Sequence, residues 1–354
     1  MDRQQILETS REKVLNETAG KRVLFITTKE LTYIRNSQER ALLEESAAKL
    51  KIIGSDSRSY PARLLKVYRE LLKTRASDFD LVFIGFAPQL VLPFWSWKFR
   101  KNRVMIDFFI SMYDTFVNDR KRFSGSSPVG KLLMKLDRST LRKADSIICD
   151  TKAHGNYFAE DLGADKDRLM PLYLEADRSI YDPGNFPEAG RRENRPDHLK
   201  DRLVVLYFGS VLPLQGIDVI LAAFDRLKDD DRFYFYMIGP VDARYDRPES
   251  RNIEYISWLS QKELAEHIAM ADLCLTGHFN AGIDKAKRTI PGKAYIYQAM
   301  EKPMILGDNP ANRELFSEED GNIYFVQMGS PEALASKIMD IYEKCSGSEQ
   351  QNTF

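Results

Sequence analysis

The sequence predicts an α/β protein built as two tandem domains, each a parallel sheet covered by helices on both faces. Three observations carry that reading. Apolar runs rich in Val, Ile, Leu, Phe and Tyr alternate with segments of helical period along the whole chain. The runs are continuously apolar rather than polar at every second position, which marks strands buried on both faces. The alternation breaks once, in DPGNFPEAGRRENRPDHLK (182–200), and then starts again. At 354 residues the chain has room for two domains of ordinary size. We expect domains at 1–178 and 202–330, a linker at 179–201, and a C-terminal helix and tail at 331–354.

An amphipathic helix opens the chain. Strands are then expected at RVLFITT (22–28), LKIIGS (50–55), LVFIGF (81–86), RVMIDFF (103–109), SIICD (146–150) and LMPLYL (169–174). Helices between them include PARLLKVYRELLKT and GKLLMKLDRSTLRKAD. In the second half strands are expected at LVVLYFG (203–209), FYFYMIG (233–239), IEYISW (253–258), LCLTG (273–277), PMILGD (303–308) and NIYFVQ (322–327). Helices there include IDVILAAFDRL and QKELAEHIAMA. A last helix, 331–345, is expected to pack back toward the first domain. Ligands of open α/β sheets bind at the C-terminal edges of the strands, so a cleft between two such edges is the expected site.

Hydrophobic residues make up 43% and charged residues 29%, the balance of a soluble globular protein. No apolar run approaches the roughly 18 residues that cross a bilayer. MDRQQILETSREKV is too charged for a signal peptide, and three widely spaced cysteines (Cys149, Cys274, Cys345) suit a reducing cytoplasm. The formal net charge is zero, yet residues 1–180 hold 32 Lys and Arg against 24 Asp and Glu, and the rest hold 20 against 28. Either the basic half faces a polyanion or anionic membrane, or the charge solvates surface helices.

Several α/β chemistries lack their motifs: no GxGxxG follows a strand, and neither GxxxxGK[ST] nor GxSxG occurs. His154, His198, His267 and His278 are scattered without ligand spacing, so no metal is expected. DFD (78–80) precedes a strand and reads as a turn cap. What remains is FGSVLPLQGIDVILAAF (208–224), where a strand ends in Gly209-Ser210 and Gln215-Gly216 opens a helix. Glycine lets a phosphate approach the backbone, and free N–H groups at the helix start bind it. Gly239 ends the next strand. RTIPGKAYIYQAMEKP (288–303) adds an electrostatic question. A Pro-Gly turn opens a helix whose N-terminus disfavours cations, yet Lys285, Lys287, Arg288 and Lys293 crowd it with only Asp284 to oppose them. A solvated basic loop is one answer and a bound diphosphate is the other. The dipole costs about 0.3–1 kcal/mol per charge, and losing one preorganised donor to a developing anion costs about 2.7–4 kcal/mol. Neutralising a ligand outweighs the dipole.

These stretches resemble the donor-binding domain of family 4 glycosyltransferases of the two-domain GT-B fold. IPGKAYIYQAMEKPMILGDNPANREL is similar to the helix and strand-turn that hold the nucleotide-sugar, and GSVLPLQGIDVILAAF to the phosphate loop and its helix. DFFISMYDTFVNDRK (107–121) is similar to a segment of a bacterial subgroup. The resemblance spans most of 20–345 and is strongest over 202–316. It implies two Rossmann-like domains facing each other across a cleft. It also implies transfer of a sugar from a nucleotide-diphosphate donor to an acceptor hydroxyl, in polysaccharide or glycolipid assembly. The transfer would proceed with retention and without metal or cofactor beyond the nucleotide-sugar co-substrate. Its donor-side residues would be Gly209, Ser210, Gln215, Gly216, Gly239, Asn309 and Glu314. Arg288 and Lys293 would stabilise the departing diphosphate. Asp107 would stand near where the family often places a histidine facing the sugar, or cap the ISMYD turn. Ser111, Tyr113, Asp114 and Arg120 would shape the acceptor pocket or tie down their loop.

The sequence departs from the family at four positions. Arg288 and Ile296 stand where many members carry two glutamates, and Ser210 and Gln215 stand where an Arg and a Lys clasp the diphosphate. A non-catalytic GT-B partner subunit and a GT-B nucleotide-sugar epimerase stay open as alternatives. Finally, LVLPFWSWKFRKNR (90–103) interleaves Phe94, Trp95, Trp97 and Phe99 with Lys98, Arg100, Lys101 and Arg103. That mixture suits an anionic membrane interface and a lipid-linked acceptor, with the protein cytoplasmic and peripheral on the inner face. A core-facing helix with a basic tail fits it too. Nucleic acid is not expected as a partner.

Overall fold

The computed structural model describes residues 2–351, with side chains through residue 346; the end of the expected tail, 352–354, lies outside the described residues. The chain divides into two compact units, Met1–Glu175 and Ala176–Phe354. The first contains β1 (Arg22–Ile26), β2 (Lys49–Ile53), β3 (Leu81–Ile84), β4 (Arg103–Asp107), β5 (Ser146–Cys149) and β6 (Leu169–Pro171). Its helices are α1 (Arg3–Thr18), α2 (Ile34–Ser46), α3 (Tyr60–Lys73), α4 (Leu92–Trp95), α5 (Pro128–Lys143) and α6 (Lys152–Glu160). The second contains β7 (Leu203–Phe208), β8 (Phe233–Ile238), β9 (Ile253–Ile256), β10 (Leu273–Leu275), β11 (Met304–Gly307) and β12 (Ile323–Val326). With them come α7 (Ile217–Leu227), α8 (Gln261–Met270), α9 (Asp284–Arg288), α10 (Gly292–Ala299) and α11 (Pro331–Gln351).

Each unit is a parallel sheet, in the orders β2-β1-β3-β4-β5-β6 and β12-β11-β10-β7-β8-β9. Twelve strands stand where the continuous apolar runs place them, and the runs overshoot the ladders by one to three residues. The reason is burial beyond the last ladder bond: Phe108 and Leu172 follow β4 and β6 and stay fully buried. In the second unit the order reverses between β7 and β10. The helical crossovers leave in opposite directions there, and a crevice opens at the C-terminal ends of those two strands.

Local signals start the helices. Asp2 caps α1 by accepting from Gln5 N at 2.9 Å, and Ser127 caps α5 from just before Pro128. Ser260 and Glu263 form a reciprocal capping box at α8. In the first core Leu24, Ile26, Val82 and Ile106 face one side of the sheet, and Val23, Phe25, Phe83 and Met105 the other. In the second, Ile220 and Phe224 of α7 and Leu334 and Ile338 of α11 cover Val205, Tyr207 and Phe235. The last helix therefore buries its apolar face in the second unit, where the sequence suggested packing toward the first. The stretch expected as a linker also packs onto this unit. Leu199 is fully buried, and buried Arg195 clasps Asp272 through two bonds of 2.9 and 2.8 Å.

Candidate functional site

The reversal point of the second sheet is lined with glycine. Four neighbouring strands, β11, β10, β7 and β8, run into Gly307, Gly277, Gly209 and Gly239. Gly209 and Gly239 adopt φ of 142° and 136°, and Gly277 adopts 79°, conformations that side chains disfavour. A Cβ on Gly239 would stand 2.1 Å from the Gly209 carbonyl oxygen. On Gly277 it would stand 2.3 Å from Gln215 Oε1 and 3.2 Å from Lys293 Nζ. The glycines clear a space at the strand ends, and Lys293 enters it from the first turn of α10.

Lys293 is only 7% exposed. Its Nζ donates to Gln215 Oε1 at 2.6 Å and stands 4.7 Å from the centre of the Tyr207 ring. Among the described residues no carboxylate pairs with it, and burial pushes its pKa down to about 7. Burial, reinforced by the nearby Lys293 charge, pushes the His278 imidazole down to about 3, and its Nδ1–H donates to the Thr289 carbonyl at 3.0 Å. Gly216, at φ 68°, precedes α7, whose first N–H groups open beside the same loop. The structure thus brings Gly209, Gln215, Gly216, Gly239 and Lys293 together. Tyr207, Gly277 and His278 join them unanticipated. The repeated strand-end glycines were the signal that could have found Gly277.

The cation cluster is arranged differently from the sequence expectation. Lys285, Lys287 and Arg288 belong to a separate short helix, α9, in whose last turn cations are favoured, and Asp284 sits in its first turn. The Lys287 ammonium, at 2.9 Å, holds the Asp284 carboxyl below its usual range. Of these four cations, Lys293 alone stands in the first turn of a helix, where the dipole opposes it. Lys293 is also a buried group, not the surface cation the sequence suggested. Of the other donor-side residues, Ser210 is exposed and Glu314 is half-buried in a turn. Asn309 is buried as a brace, accepting from Asn312 N at 2.9 Å and donating to the Gly307 carbonyl at 3.2 Å.

In the first unit Asp107 ends β4 with no exposed surface, and Arg35 Nε donates to its Oδ2 at 2.7 Å. Arg35 also donates to the Leu172 carbonyl at 2.6 Å. Glu39, fully buried alongside, is held well above its usual pKa by burial and then by Asp107. The carboxylate of Asp107 is therefore committed to a buried ion pair rather than open to a sugar. It does not cap the ISMYD turn either. Asp137 does that, accepting from Ser111 Oγ, Met112 N and Tyr113 N at 2.7, 3.1 and 2.9 Å. Ser111 and Asp114 are buried within this brace, so they tie down the loop, while Tyr113 and Arg120 reach its surface.

The unit that holds this glycine-lined crevice is similar to known proteins. Residues 202–344, within the second unit, match the family model described as glycosyl transferases group 1. An uncharacterized 41.2 kDa protein in the cps region of Klebsiella pneumoniae is 21% identical over 60% of this chain and 58% of its own length. A D-inositol 3-phosphate glycosyltransferase of Geodermatophilus obscurus is 22% identical over 44% of this chain and 38% of its own. The chain thus aligns with about half the length of these curated relatives. Among solved structures, Anabaena HepE superposes with a TM-score of 0.60 at 13% identity, covering 93% of this chain and 91% of that one. Sucrose-phosphate synthase from Thermosynechococcus elongatus gives 0.62 at 12% identity over 90% and 89%. These likenesses show the GT-B fold, two Rossmann-like domains.

Proposed function

We propose that the protein is a retaining glycosyltransferase of the family 4 type. It would move a sugar from a nucleotide-diphosphate donor to an acceptor hydroxyl, in polysaccharide or glycolipid assembly. The observation that carries this reading is Lys293, a buried lysine beside the glycines of a strand-end crevice that no carboxylate among the described residues neutralises. The relatives support it: HepE was solved with UDP and glucose and with UDP-glucose, and the Klebsiella protein lies in a cps region. The ammonium that the family supplies from the position of Gln215 arrives here from α10, 2.6 Å from the Gln215 side chain. As the sugar gains oxocarbenium character, charge builds on the departing diphosphate. Lys293 and the first N–H groups of α7 receive that charge, and Arg288 adds a second cation. Ser210 and Glu314 flank the donor, and the donor phosphate accepts the nucleophile's proton. Tyr113 and Arg120 lie on the acceptor side, and Asp107 acts at a distance by holding Arg35. Metal and cofactor are not required beyond the nucleotide-sugar. Incubating the purified protein with a panel of nucleotide-sugars should release nucleoside diphosphate from at least one. Absence of both turnover and thermal stabilisation by any nucleoside diphosphate rejects the reading.

A pH signature follows. With its pKa near 7, Lys293 is partly neutral in the free protein, and a diphosphate favours its charged form. Affinity for UDP should fall as pH rises from 7 to 9, by up to about tenfold per unit, with proton uptake on binding. His278 stays neutral over this range, and burial raises the Tyr207 phenol beyond it. Calorimetry in buffers of different ionisation enthalpy measures the uptake. A pH-independent affinity would place the diphosphate elsewhere.

We also propose that the first unit docks on an anionic membrane to meet a lipid-linked acceptor. Among the described residues no helix is long and apolar enough to cross a membrane. Phe94 and Trp97 are each 58% exposed, whereas Trp95 is buried. Lys98 lies against the Trp97 ring and donates to the Leu72 carbonyl, and Leu72 and Leu65 of α3 are themselves exposed. Neutralising Lys98, Arg100 and Lys101 should weaken liposome sedimentation by about 1 kcal/mol per charge. Equal binding to neutral lipid would count against it.

A further inference from the structure

We propose that the outer face of α5 forms a site for the headgroup phosphate of a membrane amphiphile, an inference that rests on the docking reading above. Lys131, Lys135, Arg138 and Arg142 recur at four- and three-residue spacing, so they share one helix face over about 16 Å. With Tyr113 they line a cavity of about 730 Å³. Among the described residues none of the four is ion-paired. Glu160, which also borders the cavity, is paired with Lys166 at 3.7 Å. Arg138 donates to the Asp161 carbonyl at 3.0 Å, which fixes its guanidinium at the wall. Gly125 also lines the cavity, and a Cβ there would stand 2.5 Å from Tyr113 Oη, so the absence of a side chain seats that hydroxyl. Four like charges on one helix face repel one another, and a phosphate anion relieves the repulsion.

The surroundings specify an amphiphile. Leu132, on the same helix, is 63% exposed. Lys143, near the end of the helix, donates to Ser96 Oγ at 3.1 Å and so ties α5 to the segment on which Phe94 and Trp97 are exposed. Phosphate-binding cations beside exposed apolar side chains suit a headgroup whose hydrocarbon chain enters the bilayer next to it.

Sedimentation of the full chain with vesicles of phosphatidylglycerol in phosphatidylcholine tests this. Arg138→Gln with Arg142→Gln should lower partitioning by about 30-fold. Lys13→Gln with Lys49→Gln removes equal charge from α1 and β2, and should leave it within about threefold. Unchanged partitioning of the Arg138/Arg142 variant, or an equal loss in the Lys13/Lys49 variant, overturns the site and leaves the docking reading standing. Failure of the wild type to sediment with anionic vesicles overturns both.

Discussion

Replacing Lys293 by Met is expected to lower turnover by about 10²–10³ while the fold survives, slightly more stable than before. The two halves of that result have one cause. Lys293 sits buried in the crevice against Gln215 and Tyr207, with no carboxylate among the described residues to neutralise it. Holding a charge there costs stability, and Met fills the same space without the cost. The sign can be checked by pH. An unfolded Lys titrates near 10.5 and the folded one near 7, so the unfolded chain binds more protons between those values. Wild-type stability should rise with pH across that window, by at most about 1.4 kcal/mol per unit, and the rise should vanish in the variant. In the function proposed above, that stability cost is offset in catalysis, where a preorganised cation would meet the departing diphosphate. Arg288→Ala should act more on donor affinity, since a forked guanidinium binds ground state and transition state alike. Steady-state rates with donor titrations separate the two variants. If Lys293→Met keeps near-normal turnover, the crevice is not the diphosphate site.

The strands were legible because a parallel strand buried on both faces leaves an unbroken apolar run, as LVVLYF and FYFYMI do. The crevice was legible for a related reason. Gly209 and Gly239 end such runs, and only glycine tolerates their φ values. The break between α9 and α10 was not legible, since Asp284–Arg288 is too short to show a period. Its three cations were therefore assigned to the wrong end of the wrong helix. Least legible was the interior of the first unit. Arg35, Asn36 and Glu39 of α2 are all fully buried, yet IRNSQER reads as a solvated face. A rule that puts charge outside fails wherever the partner is far along the chain, and Arg35 finds Asp107 72 residues away. The same holds for Asp137, which braces Ser111 from the next helix.

Arg35→Met should destabilise the first unit by about 3–5 kcal/mol, because it strands the buried Asp107 carboxylate without its counter-charge. Arg35 has no exposed surface. It ties α2 to the end of β4 through Asp107 and to the residue after β6 through the Leu172 carbonyl. Burial alone would lower its pKa, but the charges of Asp107 and Asp150 outweigh that and raise it, so the guanidinium stays charged. Glu39 goes the other way. Burial first and Asp107 second raise its pKa, so the folded protein holds a proton there that the unfolded chain releases above about pH 4.5. A raised carboxyl pKa contributes stability at low pH that is lost as pH rises toward the folded value. Glu39→Gln should accordingly cost little at neutral pH and flatten that dependence, since an amide imitates the neutral acid. Adding Asp107→Asn to Arg35→Met should recover part of the loss by removing the stranded charge, a non-additivity that a double-mutant cycle in urea measures directly. If Arg35→Met costs under about 1 kcal/mol, the cluster is not what holds α2 to the sheet. The placement of Asp107 as a structural anchor rather than a group facing the sugar would then have to be withdrawn.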